Sequence, residues 1–166
     1  MAIQNTYNFV MLFDVTNGNP NGDPDAGNAP RIDPETNYGL ITDVCLKRKI
    51  RNYVQLVKQK DGAPEPGYNI LILPTKSLNE KFTEAYQEAN LPTGQKGKNK
   101  DVVEQAKAYM CRNYFDVRAF GAVMATGDDP CGIVRGPVQI NFATSLSPIL
   151  TQDVTITRQA RTTKDA

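Results

Sequence analysis

The sequence contains no histidine and no tryptophan, and it has only three cysteines, Cys45, Cys111 and Cys131. Without histidine, Ser-His-Asp and Cys-His nucleophilic centres are excluded, and so is most zinc catalysis. The three cysteines are an odd number and lie far apart, so neither a disulfide framework nor a CxxC metal site is expected. We interpret them as small apolar or loop residues of a reduced, cytoplasmic protein.

Long apolar runs are also missing. Gln4, Asn5 and Thr6 interrupt the N-terminus before an apolar run can build, so no signal peptide is predicted. The longest apolar run is far shorter than the roughly 20 residues that a membrane-spanning helix needs. We therefore expect a protein that has no membrane among its partners.

Neither sign of charge is in excess over the whole chain, which has 166 residues and a net charge of +1. This length is enough for one domain with a core. The local distribution is uneven, because residues 1–40 contain five acidic residues and one basic residue, whereas residues 41–60 contain six basic residues and one acidic residue. A nearly neutral protein can therefore carry a local anion site in this short basic segment.

Apolar periodicity and turn residues predict an α+β fold, with helices on one face of an antiparallel sheet. The clearest helix is "ITDVCLKRKIRNYVQLVKQK", which Thr42 or Asp43 can cap and which ends at "DG", Asp61–Gly62. Its predicted apolar stripe contains Leu46, Ile50, Tyr53, Val54 and Val57. The other predicted elements are a buried strand at Tyr7–Val15, a loop at 17–39, a strand at Tyr68–Leu73, helices at 76–90 and 101–113, strand-like segments at 114–124 and 133–146, and a strand that begins at 154.

The loop "NGNPNGDPDAGNAPRIDP", from Asn17 to Pro34, is rich in oxygen-bearing side chains, glycine and proline. An EF-hand alignment that starts at Asn17 fails at position 12, where Asn28 occupies the place of the bidentate glutamate. The aspartates of this loop, together with the aspartate just before it, could instead bind a divalent ion for phosphodiester cleavage. They could also be ordinary turn residues, and this second interpretation is the favoured one. These aspartates are Asp14, Asp23, Asp25 and Asp33.

A third interpretation is that this loop presents backbone N–H groups to a phosphate chain. The loop leads into a helix whose first turns carry four basic residues, namely Lys47, Arg48, Lys49 and Arg51. A helix N-terminus adds its positive dipole to such side chains. Loop and helix together are predicted to follow a nucleic-acid backbone, although "KRKIR" alone is more typical of a solvated basic face.

Two further strings are distinctive, "DVRAFG" at Asp116–Gly121 and "GIVRGPVQINF" at Gly132–Phe142. Their arginines, Arg118 and Arg135, could pair with nearby aspartates or contact phosphate, and both alternatives stay open. Three phenylalanines are more typical of a core, with base stacking as the alternative. These are Phe115, Phe120 and Phe142.

Three motifs in order resemble the backbone subunit of type I-C CRISPR Cascade complexes, the Cas-seven family of Csd type in the RAMP superfamily. They are "LFDVTNGNPNGDPDAGNAPRIDPETNYGLITDVCLKRKIRNYV", "DVRAFGAVM" and "GIVRGPVQINFATSLSPI". The resemblance implies an RRM-like, ferredoxin-like palm with a finger insertion and a thumb. It also implies head-to-tail self-association along a CRISPR RNA, which is presented for pairing with target DNA alongside other Cascade subunits in antiviral defence. Neither an enzymatic activity nor a cofactor nor a metal is implied.

On this chain, the resemblance implies that residues 1–61 form the first half of the palm, 62–113 a finger-like insertion, and 114–166 the remaining strands and the start of the thumb. The expected RNA-binding residues are Asn19, Asn21, Gly22, Asp23, Asp25, Lys47, Arg48, Arg51, Arg118, Arg135 and Arg158. Residues expected to face target DNA are Lys96, Lys98 and Lys100, and the thumb is expected to begin at Thr157, with Arg161 and Lys164 beside Arg158.

Members of this family continue beyond the position of Ala166, so the palm is expected to be cut short before its second half. Two alternatives stay open. A metal-dependent ribonuclease would use Asp23 or Asp25. Type III relatives in the superfamily carry a catalytic aspartate in the corresponding region. A regulatory or non-functional fragment would bind other subunits without holding RNA.

Overall fold

A computed structural model describes residues 3–94 and 96–155 and divides them into two units. The first unit is the described part of Met1–Thr42 and Phe142–Ala166, and the second is the described part of Asp43–Asn141. In chain order the elements are β1 (Gly22–Asp23), a 3₁₀ turn (Pro24–Ala26), β2 (Ala29–Pro30), β3 (Tyr38–Ile41), α1 (Asp43–Val57), β4 (Gln59–Lys60), β5 (Ala63–Pro64), α2 (Leu78–Glu88), α3 (Lys100–Asn113), α4 (Phe115–Phe120), β6 (Gly121–Met124), β7 (Gly132–Arg135) and β8 (Ala143–Pro148).

The first unit contains two small antiparallel sheets. β1 pairs with β2, which turns the loop back on itself through the 3₁₀ turn. β3 pairs with β8, so that Leu40 lies opposite Thr144 and Ile41 lies opposite Ala143. The N–H of Gly39 also donates to the hydroxyl of Ser145, at 2.9 Å. The predicted loop at 17–39 therefore contains short paired segments.

The prediction of a buried strand at Tyr7–Val15 is wrong. This segment forms no strand in the structure, and all nine of its side chains are exposed, including Phe9 at 65% and Val10 at 87%. Its apolar composition is compatible with a buried strand, but a strand also needs a hydrogen-bonding neighbour and a surface that covers it. None of the described strands pairs with it.

The second unit has a core of its own, built from α2, α3, α4 and the hairpin of β6 and β7. Apolar residues at helical spacing face inward, since Phe82 and Tyr86 are four residues apart on α2, and Ala106 and Met110 are four apart on α3. The buried cluster comprises Leu71, Phe82, Ala85, Tyr86, Val102, Ala106, Met110, Val117, Met124 and Cys131. Burial raises the pKa of the Cys131 thiol to about 12, as expected for a small core residue rather than a reactive thiol.

The predicted helices at 76–90 and 101–113 are confirmed as α2 and α3. Both begin where the sequence provides a cap. Ser77 and Glu80 form a reciprocal capping box at the start of α2, and the side chain of Asn99 accepts a hydrogen bond from the N–H of Asp101 at the start of α3.

The helix predicted from "ITDVCLKRKIRNYVQLVKQK" is confirmed in α1, but its end and its buried face differ from the prediction. It ends at Val57, and the residues that follow form the hairpin of β4 and β5 around Asp61–Gly62. Its buried residues are Leu46, Arg51 and Val54, whereas Tyr53 is 64% exposed. The buried face of α1 therefore includes an arginine and differs from the predicted apolar stripe.

Two predicted strands are replaced by other structure. Tyr68–Leu73 forms no strand beyond a single bridge from Asn69 to Tyr114, because the N–H groups of Leu71 and Ile72 donate to the side chain of Asp116. The segment 114–124 is divided into helix α4 and strand β6.

Gly121 and Gly136 are the glycines of "RAFG" and "VRGP", and the structure explains why glycine is needed at both positions. A Cβ atom on Gly136 would lie 2.2 Å from the carbonyl carbon of Phe120, and one on Gly121 would lie 2.5 Å from the nitrogen of Gly136. The two backbones therefore cross at a distance that excludes any side chain. This contact closes the hairpin of β6 and β7 against the end of α4.

The predicted α+β class is confirmed, and the small sheets and four helices of the described residues are compatible with an RRM-like palm. The three-part division at 61/62 and 113/114 stays a prediction; the two units of the structure divide at Thr42 and Phe142. Within the described ranges, no helix is long and apolar enough to cross a membrane.

Candidate nucleic-acid interface

Helix α1 carries the densest group of basic side chains that the sequence singled out. Arg48 and Lys49 are exposed, and in the part of the chain that the structure describes neither makes an ion pair. Lys47 is half-buried, and its Nζ lies 2.9 Å from Asp43 Oδ2, one helical turn earlier. The hydrogen bond from Lys47 lowers the pKa of the Asp43 carboxyl, which favours its charged form.

Arg51 of α1, unlike the exposed cations, is held in a buried ion pair. Its Nε lies 2.9 Å from Oδ2 of Asp116, and the two residues are 8% and 1% exposed. The guanidinium carbon also lies 5.3 Å from the centre of the Phe120 ring. A phosphate would reach Arg51 only if the ion pair with Asp116 opened. In this structure the guanidinium of Arg51 is therefore not accessible for the predicted RNA contact.

Asp116 joins three segments of the second unit. Besides Arg51 on α1, its carboxylate accepts hydrogen bonds from the N–H groups of Leu71, at 2.8 Å, and Ile72, at 3.1 Å. The carboxylate is therefore fully buried yet satisfied by three donors. It fixes the position of α1 relative to the segment that precedes α2.

Lys81 fixes the same segment from the other side. Its Nζ donates to the carbonyl oxygens of Leu71, at 2.6 Å, and Leu73, at 3.1 Å. Burial lowers the pKa of this lysine, while the charge of Asp116 raises it. Neither Lys81 nor its partner carbonyls could be recognised from the sequence, because a lysine on a helix is normally solvated.

Arg118 is held by backbone carbonyls rather than placed on a free surface. It donates to the carbonyl oxygens of Cys111 and Arg112 at the end of α3, and to that of Gly67 at 2.6 Å. Its guanidinium lies over the rings of Tyr68 and Phe115. This arginine stabilises the C-terminus of α3, and its role in binding RNA stays a prediction.

The phenylalanines of this unit pack against each other and against cations. Phe115 stacks on Tyr68 with ring centres 6.3 Å apart, and it meets the edge of Phe120 at 6.2 Å. Lys47 lies 5.9 Å from the centre of the Phe120 ring. Phe115 and Phe120 are therefore packing residues in this structure, whereas Phe142 in the first unit is 60% exposed.

Polar side chains of the loop bind the loop itself and the residue that precedes α1. Asn19 donates to the carbonyl oxygen of Asn28 at 2.7 Å. The Oδ1 atom of Asn21 accepts from both the N–H and the hydroxyl of Thr42, at 2.8 and 3.0 Å. Gly22 is needed where the chain closes, since a Cβ atom there would lie 2.0 Å from Oδ1 of Asn28.

Of the two aspartates considered for catalysis, Asp25 lies in the 3₁₀ turn and Asp23 precedes it. Asp23 caps it by accepting from the N–H of Asp25, at 3.2 Å, and pairs with Arg31 at 3.4 Å. Within residues 3–94 and 96–155, no group of three or more His, Cys, Asp or Glu side chains is arranged to hold a metal ion. The structural turn reading of these residues is the one that their contacts support.

The remaining predicted residues are scattered. Arg135 is exposed on β7, and Lys96 makes an exposed pair with Asp128 at 3.7 Å. Lys98 and Lys100 are exposed near the start of α3. The thumb prediction, with Arg158, Arg161 and Lys164 from Thr157 onward, lies outside the described residues.

Two comparisons with known proteins identify the family. The family model described as CRISPR-associated protein Cas7 matches residues 5–166. A protein from Haloferax volcanii, also described as CRISPR-associated protein Cas7, is 29% identical over 125 residues, which are 75% of this chain. The matched part is 34% of that relative's length. The chain belongs to the Cas7 family of CRISPR-associated proteins.

Proposed function

We propose that this chain belongs to a CRISPR RNA-binding backbone subunit of a type I-C Cascade surveillance complex. The subunit polymerises head to tail along the guide and presents it for pairing with target DNA in antiviral defence. It works in the cytoplasm with other Cascade subunits, and it needs no cofactor. Family membership supports the CRISPR setting, and the motifs that resemble type I-C backbone subunits support the subtype.

The single observation that carries this proposal is the exposed basic face of α1. Arg48 and Lys49 are adjacent and exposed, and neither has a carboxylate partner in the described ranges. Unpaired cations attract phosphates because neutralising the RNA backbone releases its condensed counterions. Such contacts depend little on sequence, which suits a subunit whose target specificity comes from base pairing of the guide.

The polar loop enters this proposal with a changed role. The side chains of Asn19, Asn21 and Asp23 are engaged in bonds that shape the loop, so an RNA contact from these residues would come from backbone groups. Asn19, Asn21, Gly22, Asp23 and Asp25 stay predicted RNA-binding residues, the first four of them through their backbone.

We also propose that the subunit is not an enzyme. The metal-dependent ribonuclease interpretation requires several ligands around Asp23 or Asp25, whereas Asp23 pairs with Arg31 at 3.4 Å. The reading of a regulatory fragment that binds other subunits without RNA makes a different prediction, namely protein partners and no nucleic acid.

Mutation of the exposed cations tests the proposal. We expect Arg48→Ala and Lys49→Ala each to weaken binding of short single-stranded RNA, and to flatten the slope of log affinity against log salt by about 0.7 per lost phosphate contact. Lys60→Ala, which removes an exposed cation from β4, is the matched control and should change neither quantity. Fluorescence anisotropy at several salt concentrations gives both values, and equal losses in all three variants would contradict the assignment of α1.

A further inference from the structure

A shallow groove of about 400 Å³ lies beside α1 in the second unit. Its walls and floor include Arg48, Ile72, Leu73, Pro74, Lys76 and Leu78. Ile72 and Leu78 are each 40% exposed, so apolar surface is open between two cationic side chains. This volume falls at the lower end of the range for sites that hold a small ligand.

Hydrogen bonds from buried side chains fix the backbone that forms the floor of this groove. Asp116 holds the N–H groups of Leu71 and Ile72 on one side, and Lys81 holds the carbonyl oxygens of Leu71 and Leu73 on the other. Because the backbone polar groups of this short segment are engaged inward, the side chain of Ile72 is left facing outward. The pair of Asp116 with Arg51 fixes α1, and hence Arg48, beside the same segment.

The two cations of the groove differ in availability. Lys76 bonds to Glu84 of α2, and that bond raises the pKa of the lysine. Arg48 has no such carboxylate partner in the described part of the chain. A ligand therefore meets one available guanidinium, which suits a single phosphate, next to an apolar surface.

We propose that this groove binds one nucleotide of the RNA that lies along α1, with its phosphate on Arg48 and its base or ribose against Ile72, Pro74 and Leu78. This proposal rests on the proposed RNA-binding function. A docked peptide helix needs apolar contacts at several successive turns, and the open apolar surface here comes from Ile72 and Leu78 with Pro74. One planar ring covers that surface, and its phosphate complements the unpaired charge.

Leu78→Glu tests the groove without removing any packed or basic residue. A carboxylate at the first position of α2 is favourable for the helix, so the fold should persist. In the groove, however, it repels a phosphate, and we expect the affinity for single-stranded oligouridine to fall about fivefold at low salt. Leu146→Glu, on exposed β8 of the first unit, is the matched control and should bind like wild type.

Photo-crosslinking gives a second readout on the wild-type chain. Oligouridine containing 4-thiouridine should crosslink within residues 72–78, as mapped by mass spectrometry of the digested protein. If RNA binds but crosslinks elsewhere and Leu78→Glu binds normally, the groove proposal is wrong while the proposed function stands. If the wild-type chain binds no RNA at low salt, both are wrong. If a labelled acidic, leucine-containing peptide rather than RNA loses affinity on Leu78→Glu, the groove serves a protein partner and the nucleotide proposal is overturned.

Discussion

The two units of this protein differ in how far they bury their apolar side chains. The second unit encloses Leu71, Phe82 and Met110 in one packed cluster. In the first unit, Ile41 alone among the described residues is buried, and Phe9 and Leu12 are exposed. The first unit is therefore held mainly by backbone pairing and by side chains that bond to the loop, whereas the second has a core that can stabilise it.

This difference affects what each unit can contribute to function. The second unit holds α1 in place through buried contacts, so its basic face has a fixed orientation before any ligand binds. The segment Tyr7–Val15 instead exposes a continuous apolar stretch, which is typical of an interaction surface or of a tendency to aggregate. Assembly and RNA binding are thus expected to depend on different parts of the chain.

The largest effect is expected from Asp116→Ala. The change would leave the guanidinium of Arg51 buried without its partner and the N–H groups of Leu71 and Ile72 without an acceptor. We expect the free energy of unfolding to fall by about 3–5 kcal/mol. Urea unfolding measures it. The control is Asp128→Ala, which breaks an exposed pair and should cost less than about 1 kcal/mol; similar losses in both variants would mean that Asp116 is not a structural centre.

A pair of methionine truncations compares the two units directly. Met110 is fully buried in the second unit, whereas Met11 in the first is 52% exposed. Met110→Ala should lower the free energy of unfolding by about 2–5 kcal/mol, while Met11→Ala should change it by less than about 0.5 kcal/mol. Thermal or urea unfolding of both variants decides the matter, and a large loss in Met11→Ala would show that the first unit has a core after all.

The smallest effect concerns the cap of α2 and its dependence on pH. Hydrogen bonds from Ser77 lower the pKa of Glu80 from 4.5, so the contribution of Glu80 is complete above that value and is lost as the pH falls through the lower folded-state value. Glu80→Gln should therefore unfold at a lower temperature than wild type at pH 7. The two melting temperatures should converge at acidic pH, and a difference that persists at pH 2 would exclude this mechanism.

Local signals in the sequence predicted the helices of the second unit well. Ser77 and Asn99 stand at the start of α2 and α3, and apolar residues recur at helical spacing after each of them. The family resemblance was also carried by local strings, and the comparisons confirm the Cas7 family, while the type I-C subtype stays a prediction.

Contacts between distant residues could not be predicted in this way. Arg51 and Asp116 are 65 positions apart, and nothing beside either residue indicates that the other will neutralise it. The carboxylate of Asp116 also accepts hydrogen bonds from the N–H groups of Leu71 and Ile72, which a strand at Tyr68–Leu73 would have used. Helix α4 has only six residues, too few for its periodicity to distinguish it from a strand.

The candidate site was predicted in part. The basic run of α1 was recognised, but its division into exposed Arg48 and Lys49 and buried Arg51 depends on which face of the helix packs inward. The groove residues Ile72 and Leu78 had no signal of their own, and the exposure of Ile72 follows from the way Asp116 and Lys81 hold the backbone around it.

Hydrogen exchange followed by mass spectrometry tests the contrast between the two units most directly. If the second unit has its own core, peptides from α2, α3 and β6 should exchange slowest, and peptides that cover Tyr7–Val15 should exchange fully at the earliest time point. Slow exchange at Tyr7–Val15, or equally fast exchange throughout α2 and α3, would contradict the account.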